Sequence, residues 1–263
     1  MLSKWFGSKS ESAEPVIDCV VDPSHRIYAI GDVHGRVDLI NRMLQMVARD
    51  IAAQTDDRKP MIVFLGDYID RGDNSKDVLD VLIGVKDDLP SDSLHYLMGN
   101  HEAAILSFLQ DPANKAEWLR FGGLQTLLSY GVAPPKSNPE AADLVAVADS
   151  LRAAMGQQHI NFLASLEGNY RSGDVLFVHA GIDPYVDLVV QSDEATLWGR
   201  SDFIEVGGVE GLRVIHGHYD NLEPIVTPRR ICVDTGAYYS GRLTAVRLDD
   251  EESLIVADVL DID

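Results

Sequence analysis

Before Asp111 the chain repeats one pattern three times: a short unbroken apolar run, a glycine-flanked polar cluster, then apolar residues three and four apart. Ile27-Tyr28-Ala29-Ile30 runs into Gly31-Asp32-Val33-His34-Gly35, and Ile40, Met43, Leu44, Val47 and Ile51 follow. Met61-Ile62-Val63-Phe64-Leu65 runs into Gly66-Asp67-Tyr68-Ile69-Asp70-Arg71-Gly72, then Val78, Val81, Leu82 and Val85. Leu94-His95-Tyr96-Leu97-Met98 runs into Gly99-Asn100-His101-Glu102, then Ala103, Ile105, Leu106 and Leu109. A bounded apolar run predicts a buried strand, and three-four spacing predicts an amphipathic helix. Each repeat is therefore a β-α unit with polar residues at the strand's carboxyl end, where open α/β sheets bind ligands. Three strand tips are expected to converge.

From about 111 to 166 the pattern changes to a Pro134-Pro135 break and Ala-rich stretches through Leu144 and Leu151, which predicts a helical cap insertion. The last third returns to strands at Val175-Leu176-Phe177-Val178, Val214-Ile215, Ile231-Cys232-Val233, Leu243-Thr244-Ala245-Val246 and Leu254-Ile255-Val256. Turn signals at Ser240-Gly241 and Asp249-Asp250-Glu251 predict hairpins and hence a second, mixed sheet. The expected fold is α/β, a sandwich of two mixed sheets flanked by helices, in a single domain over residues 25–263. The polar stretch within residues 1–24 is expected to be a flexible leader.

Composition narrows the partners. With 263 residues, 46% hydrophobic and 24% charged, the chain can bury a sizeable core. Its 22 Lys and Arg against 42 Asp and Glu give a formal net charge of -20, which repels phosphate backbones and anionic lipid. No nucleic-acid partner and no stable membrane association are expected, and an anionic substrate must meet positive charge at the site itself. Cys19 and Cys232 show no CxxC spacing, no apolar run reaches the ~18 residues of a membrane span, and the start of the chain has no apolar signal stretch. The expected location is the cytoplasm.

The polar clusters carry complementary chemistry. Asp32 and His34, two apart, project to the same side of an extended strand end and can grip one cation. Asp67 can bridge two hard cations, Asp70 can orient a histidine, and Arg71 can fork a phosphate. Asn100 is a neutral ligand, while its neighbour His101 is free to move protons. His179 and His218 follow apolar strands as further ligands, with His216 a backup to His218. A cap, a solvated turn or a core histidine explains any one piece but not all of them together. Oxygen and nitrogen donors without thiolate suit two Mn, Fe or Zn ions, Mn first.

In this order the motifs, with His179-Ala180-Gly181, Gly217-His218 and Asp234-Thr235-Gly236-Ala237, resemble the metallophosphoesterases, specifically the phosphoprotein phosphatase family and its bacterial and lambda-phage branch. The resemblance implies that Asp32 and His34 hold one metal, Asp67 bridges, and Asn100, His179 and His218 hold the second. It implies that His101 is the general acid oriented by Asp70, and that Arg71 and Arg200 bind phosphate, Arg200 being matched through Leu197-Trp198-Gly199-Arg200. Tyr239 aligns with an aromatic near the family's metals. Water held between two divalent ions would attack phosphorus. The expected enzyme is a phosphoric monoester hydrolase, a serine/threonine and also tyrosine protein phosphatase acting on phosphorylated proteins or peptides. The alternatives are a symmetrical diadenosine tetraphosphate hydrolase, a phosphopeptide-binding pseudophosphatase and a nuclease. Symmetrical hydrolases resembling this chain tend to replace the second acid of the Asp-Arg-Gly motif and to end the third motif in Asp, so Asp70 and Glu102 favour the protein phosphatase.

Overall fold

Side chains that alternate along each central strand divide the molecule into layers. The computed structural model describes residues 20–88 and 91–260, and the expected leader up to residue 19 lies outside the described residues, as does Cys19. Strands β1 (His25–Ile30), β2 (Lys59–Phe64) and β3 (Leu94–Tyr96) alternate with helices α1 (Val37–Ala53), α2 (Ser75–Asp88) and α3 (Asn100–Gln110). Helices α4 (Gly123–Ser129) and α5 (Ala141–Ala164) follow, then β4 (Asn169–Ser172), β5 (Val175–Val178), α6 (Ser201–Val206) and β6 (Arg213–His216). The chain continues through β7 (Ile225–Val226), β8 (Arg230–Cys232), α7 (Ala237–Ser240), β9 (Arg242–Leu248) and β10 (Glu252–Asp258).

One sheet has the order β10-β9-β1-β2-β3 and the other β4-β5-β6-β8-β7. Ile27 and Ala29 of β1, with Met61 and Val63 of β2, face an apolar layer shared with Phe177, Ile215 and Ile231 of the second sheet. Tyr28, Ile30, Ile62 and Phe64 point the other way, into a core with the helices. This period-two division is what makes a two-sheet sandwich with helical flanks. Helix α1 buries Leu39, Ile40, Met43 and Val47 on that core, each such side chain contributing about 1.5–3 kcal/mol.

The second sheet is mixed, as expected, but the hairpin expected in it lies elsewhere. β9 and β10 do form an antiparallel hairpin, but β9 pairs antiparallel with β1 in the first sheet. In the second sheet β5, β6 and β8 pair in parallel, and the short edge strands β4 and β7 supply its antiparallel pairs. β9 belongs beside β1 because both its faces are apolar: Leu243 and Ala245 meet the helical core, Val246 and Leu248 the layer between the sheets.

Between Asp111 and Leu166 the chain forms only helices and turns. Trp118, Leu127, Leu151 and Phe162 of this segment enter the same core as α1 and α2. β1, β2 and β3 run parallel, as do β5, β6 and β8, so the polar clusters of both sheets leave at carboxyl ends.

Candidate active site

Burial around Asp67 decides the geometry. Its carboxylate is 2% exposed. Oδ2 lies 3.5 Å from His34 Nε2 and 3.9 Å from His101 Nε2, while Oδ1 lies 3.5 Å from His179 Nε2. The two oxygens thus face two different groups of imidazoles. Ligand atoms of His34, Asp67 and His101 lie within 4.8 Å of one another, and so do those of Asp67, His179 and His218. Asn100 Oδ1 joins the second group, 3.0 Å from His179 Nε2 and 3.1 Å from His218 Nδ1.

Backbone groups aim these rings. His34 Nδ1 bonds the Ile69 carbonyl and His179 Nδ1 the Leu65 carbonyl, each at 2.9 Å, which assigns the proton to Nδ1 and leaves the Nε2 lone pair towards Asp67. His218 is turned the opposite way, with Nε2 3.1 Å from the Trp198 carbonyl and Nδ1 directed inward. His216, by contrast, lies against Arg230 and the Gly217 carbonyl, away from both groups. Among the described residues, the non-glycine residues with left-handed backbone are His34, Asp67, Asp70, Arg71 and His218. Such conformations cost about 1–3 kcal/mol each and persist where packing over-determines them. A Cβ on Gly99 would come within 2.2 Å of Asp67 Oδ1, so only glycine lets α3 start against this carboxylate.

The electrostatics call for a cation. Burial pushes His34 down to about 3 and His218 to about 4, and lowers His179, so these rings are neutral, the form that binds metal. Burial would raise Asp67, whereas positive charge on the His179, His101 or His34 ring draws it below the usual carboxylate range. Asp32, 1% exposed, is raised well above its ordinary value by burial and by the Asp234 and Asp67 carboxylates. Its oxygens accept the His218 backbone N–H and stand against Gly217, outside both ligand-atom groups above. Several buried carboxylates among neutral imidazoles fit divalent ions, and Arg71 is a protein cation that acts on Asp32 and Asp234.

His101 is arranged differently. Its Nδ1 is 2.7 Å from Asp70 Oδ2, which also accepts Trp118 Nε1–H at 2.8 Å, and Thr126 donates to Asp70 Oδ1. Burial works against protonation of His101, yet Asp67 and Asp70 outweigh it and raise its pKa. Arg71 lies with Cζ 5.1 Å from the Tyr238 ring, which meets His34 edge-on at 5.6 Å. Tyr238 is therefore the aromatic at the site. Tyr239, the residue expected there, donates instead to Asp220. Arg200 is held by Asp202 at 2.7 and 2.9 Å and lies 3.6 Å from Asp183, so its guanidinium is already paired.

Sequence reasoning gave no role to Asp234, Tyr238, Trp118 or Thr126. Asp234 had a signal, since it follows the apolar strand β8 as the other acids follow theirs, and burial pushes it up to about 7. Trp118 and Thr126 had none, standing 48 and 56 residues from Asp70.

Residues 25–219 match the calcineurin-like phosphoesterase family. The chain is 25% identical to the symmetrical bis(5'-nucleosyl)-tetraphosphatase of Nitrosospira multiformis, over 86% of this chain and 94% of that protein. It is 26% identical to the asymmetrical bis(5'-nucleosyl)-tetraphosphatase of Oceanobacillus iheyensis, over 88% of this chain and 92% of that one. Its fold is similar to that of a solved candidate diadenosine tetraphosphatase, with TM-score 0.59 and 17% identity over 90% and 96% of the two chains.

These relatives overturn the expectation of a protein phosphatase with phosphorylated protein partners. The structure supplies the physical reason, because the two acids that favoured that reading are interior. Glu102 is fully buried and accepts the backbone N–H groups of Asp67, Tyr68, Ile69 and Gly99, bracing the loop. Asp70 is equally buried and faces His101, Trp118 and Thr126. Neither acid is placed to select what is attached to the phosphate. Among the described residues no helix is long and apolar enough to cross a membrane. From its matched span and its buried histidine and carboxylate groups, the chain belongs to the calcineurin-like phosphoesterases.

Proposed function

We propose that the chain is a metal-dependent hydrolase of dinucleoside polyphosphates. The observation that carries this reading is the near end-to-end alignment with dinucleoside tetraphosphatases, 94% and 92% of their lengths. In this reading Asp32, His34 and Asp67 would hold one divalent ion, and Asn100, His179 and His218 would hold the second. The oxygen and nitrogen donors favour Mn, with Fe or Zn as alternatives. Bound ions would neutralise phosphate charge and activate a water. The chain's own residues do the rest. Arg71, steadied on Tyr238, forks phosphate oxygens. His101 delivers a proton from Nε2 to the departing phosphate oxygen, and Asp70 holds its Nδ1–H.

The test is a Mn-supplemented comparison of diadenosine tetraphosphate, p-nitrophenyl phosphate and a phosphopeptide, with products separated by chromatography. The highest kcat/KM is expected for the dinucleotide. Two ADP would mark symmetrical cleavage, and ATP with AMP asymmetrical cleavage. Preference for the phosphopeptide would overturn the reading.

A further inference from the structure

A groove of about 320 Å³ opens beside this site, between α3, the turn Ala116–Phe121 and the turn Glu194–Trp198. Two large aromatic side chains in its lining remain in water, Phe121 at 41% and Trp198 at 44% exposed, with ring centroids 6.1 Å apart and planes at 62°. Leaving two such faces uncovered forfeits burial energy, and their edge-to-face geometry keeps each from covering the other. The groove adjoins the site from two directions. The Trp198 carbonyl is 3.1 Å from His218 Nε2, and Trp118, which also lines the groove, donates to Asp70. Its α3 wall belongs to the helix whose first turn carries His101.

We propose that this groove is the subsite for one nucleobase of the substrate, that of the leaving nucleotide, stacked on Trp198 with Phe121 at its edge. The inference rests on the dinucleoside polyphosphate reading and adds to it where the base lies. Its volume is at the low end of ligand pockets, about 300–1,000 Å³, suited to a single nucleoside rather than a whole dinucleotide. Lys115, exposed in the lining beside Glu117 and in no ion pair among the described residues, supplies a positive charge at the carboxyl end of α3, where its backbone N–H bonds the Asp111 carbonyl. Asp193 and Ser107 offer acceptors for sugar hydroxyls or an exocyclic amine. The leaving nucleotide is the one assigned because the groove follows α3, and His101 on that helix faces the departing oxygen.

The experiment compares W198A and W198F with the natural protein, all loaded with Mn. The readout is the ratio of kcat/KM for diadenosine tetraphosphate to that for p-nitrophenyl phosphate, in which a general loss of folding or metal cancels. Stacking on an aromatic predicts a roughly 5- to 150-fold fall of the ratio in W198A, with most of it restored in W198F. An unchanged ratio, with the dinucleotide still hydrolysed, would overturn the groove. A second ratio, the affinity for ADP over that for inorganic pyrophosphate by calorimetry, separates the two readings. If the natural protein fails to hydrolyse the dinucleotide, the function falls, and this second ratio alone decides the groove. Its fall in W198A supports a base subsite. Its constancy, or a loss seen only with a phosphopeptide, refutes one.

Discussion

Replacing Thr126 by valine tests whether α4 holds His101 in place through Asp70. Thr126 is fully buried, and its hydroxyl donates to Asp70 Oδ1 at 2.5 Å. Thr126 Oγ1 also accepts the Asp70 backbone N–H at 3.0 Å, but so does Ser75 Oγ, also at 3.0 Å. In T126V the shape is nearly kept, the N–H keeps Ser75, and the largest loss is the hydrogen bond to a buried carboxylate, with the 3.0 Å contact to Ser75 Oγ lost beside it. Hydrogen bonds to charged groups are worth about 1.5–3 kcal/mol. At roughly 2–4 °C per kcal/mol for a chain of this size, Tm should fall about 3–12 °C in a circular dichroism melt. Asp70 Oδ2 keeps His101 and Trp118, so the carboxylate can swivel about that edge and misplace the imidazole. kcat should therefore drop while KM holds, because Thr126 lies behind Asp70 from the site. The S75A variant, which leaves the backbone N–H bonded to Thr126, should lose less on both measures. An unchanged Tm together with an unchanged kcat in T126V would refute the reasoning.

Three other outcomes follow from the same geometry. H101N should lower kcat by about 100- to 10,000-fold with metal content unchanged by elemental analysis, and full turnover would remove His101 as the acid. The pH profile has a defined sign: Asp67 and Asp70 raise His101 above its ordinary value, so its acid form persists to higher pH and kcat falls as pH climbs through the raised value. In D70N one of those carboxylates is gone, and the falling limb should move to lower pH. A limb that stays in place would separate Asp70 from the proton transfer. Chelation should abolish hydrolysis, and adding back Mn to 100 times its Kd should contribute about 2.7 kcal/mol of stability, read as a higher Tm than in the chelated protein.

The candidate ligands stood out in the chain because most of them follow an apolar strand. Asp32, Asp67, His179 and His218 occupy equivalent places after β1, β2, β5 and β6. Parallel pairing brings such places to one end of a sheet, and a pattern within five or six residues is enough to find them. Which sheet receives a hairpin was not legible in this way. The turn between β9 and β10 is local, but its pairing with β1 depends on both faces finding apolar neighbours far along the chain.

Side-chain roles divide along the same line. Tyr238 and Tyr239 are adjacent and alike, and only the turn at α7 puts one against Arg71 and the other against Asp220. Arg200 reads as a phosphate ligand from its neighbours, yet in the fold Asp202 and Asp183 hold it. Asp70 and Glu102 read as marks of substrate choice and prove to be interior braces. By itself the sequence placed the polar clusters at strand tips and pointed to the phosphoesterase family, since periodicity and turn residues act over a few positions. Only the tertiary structure decided the partners of Asp70, the aromatic at the site and the groove beside α3, because those contacts join segments whose separation leaves no local trace.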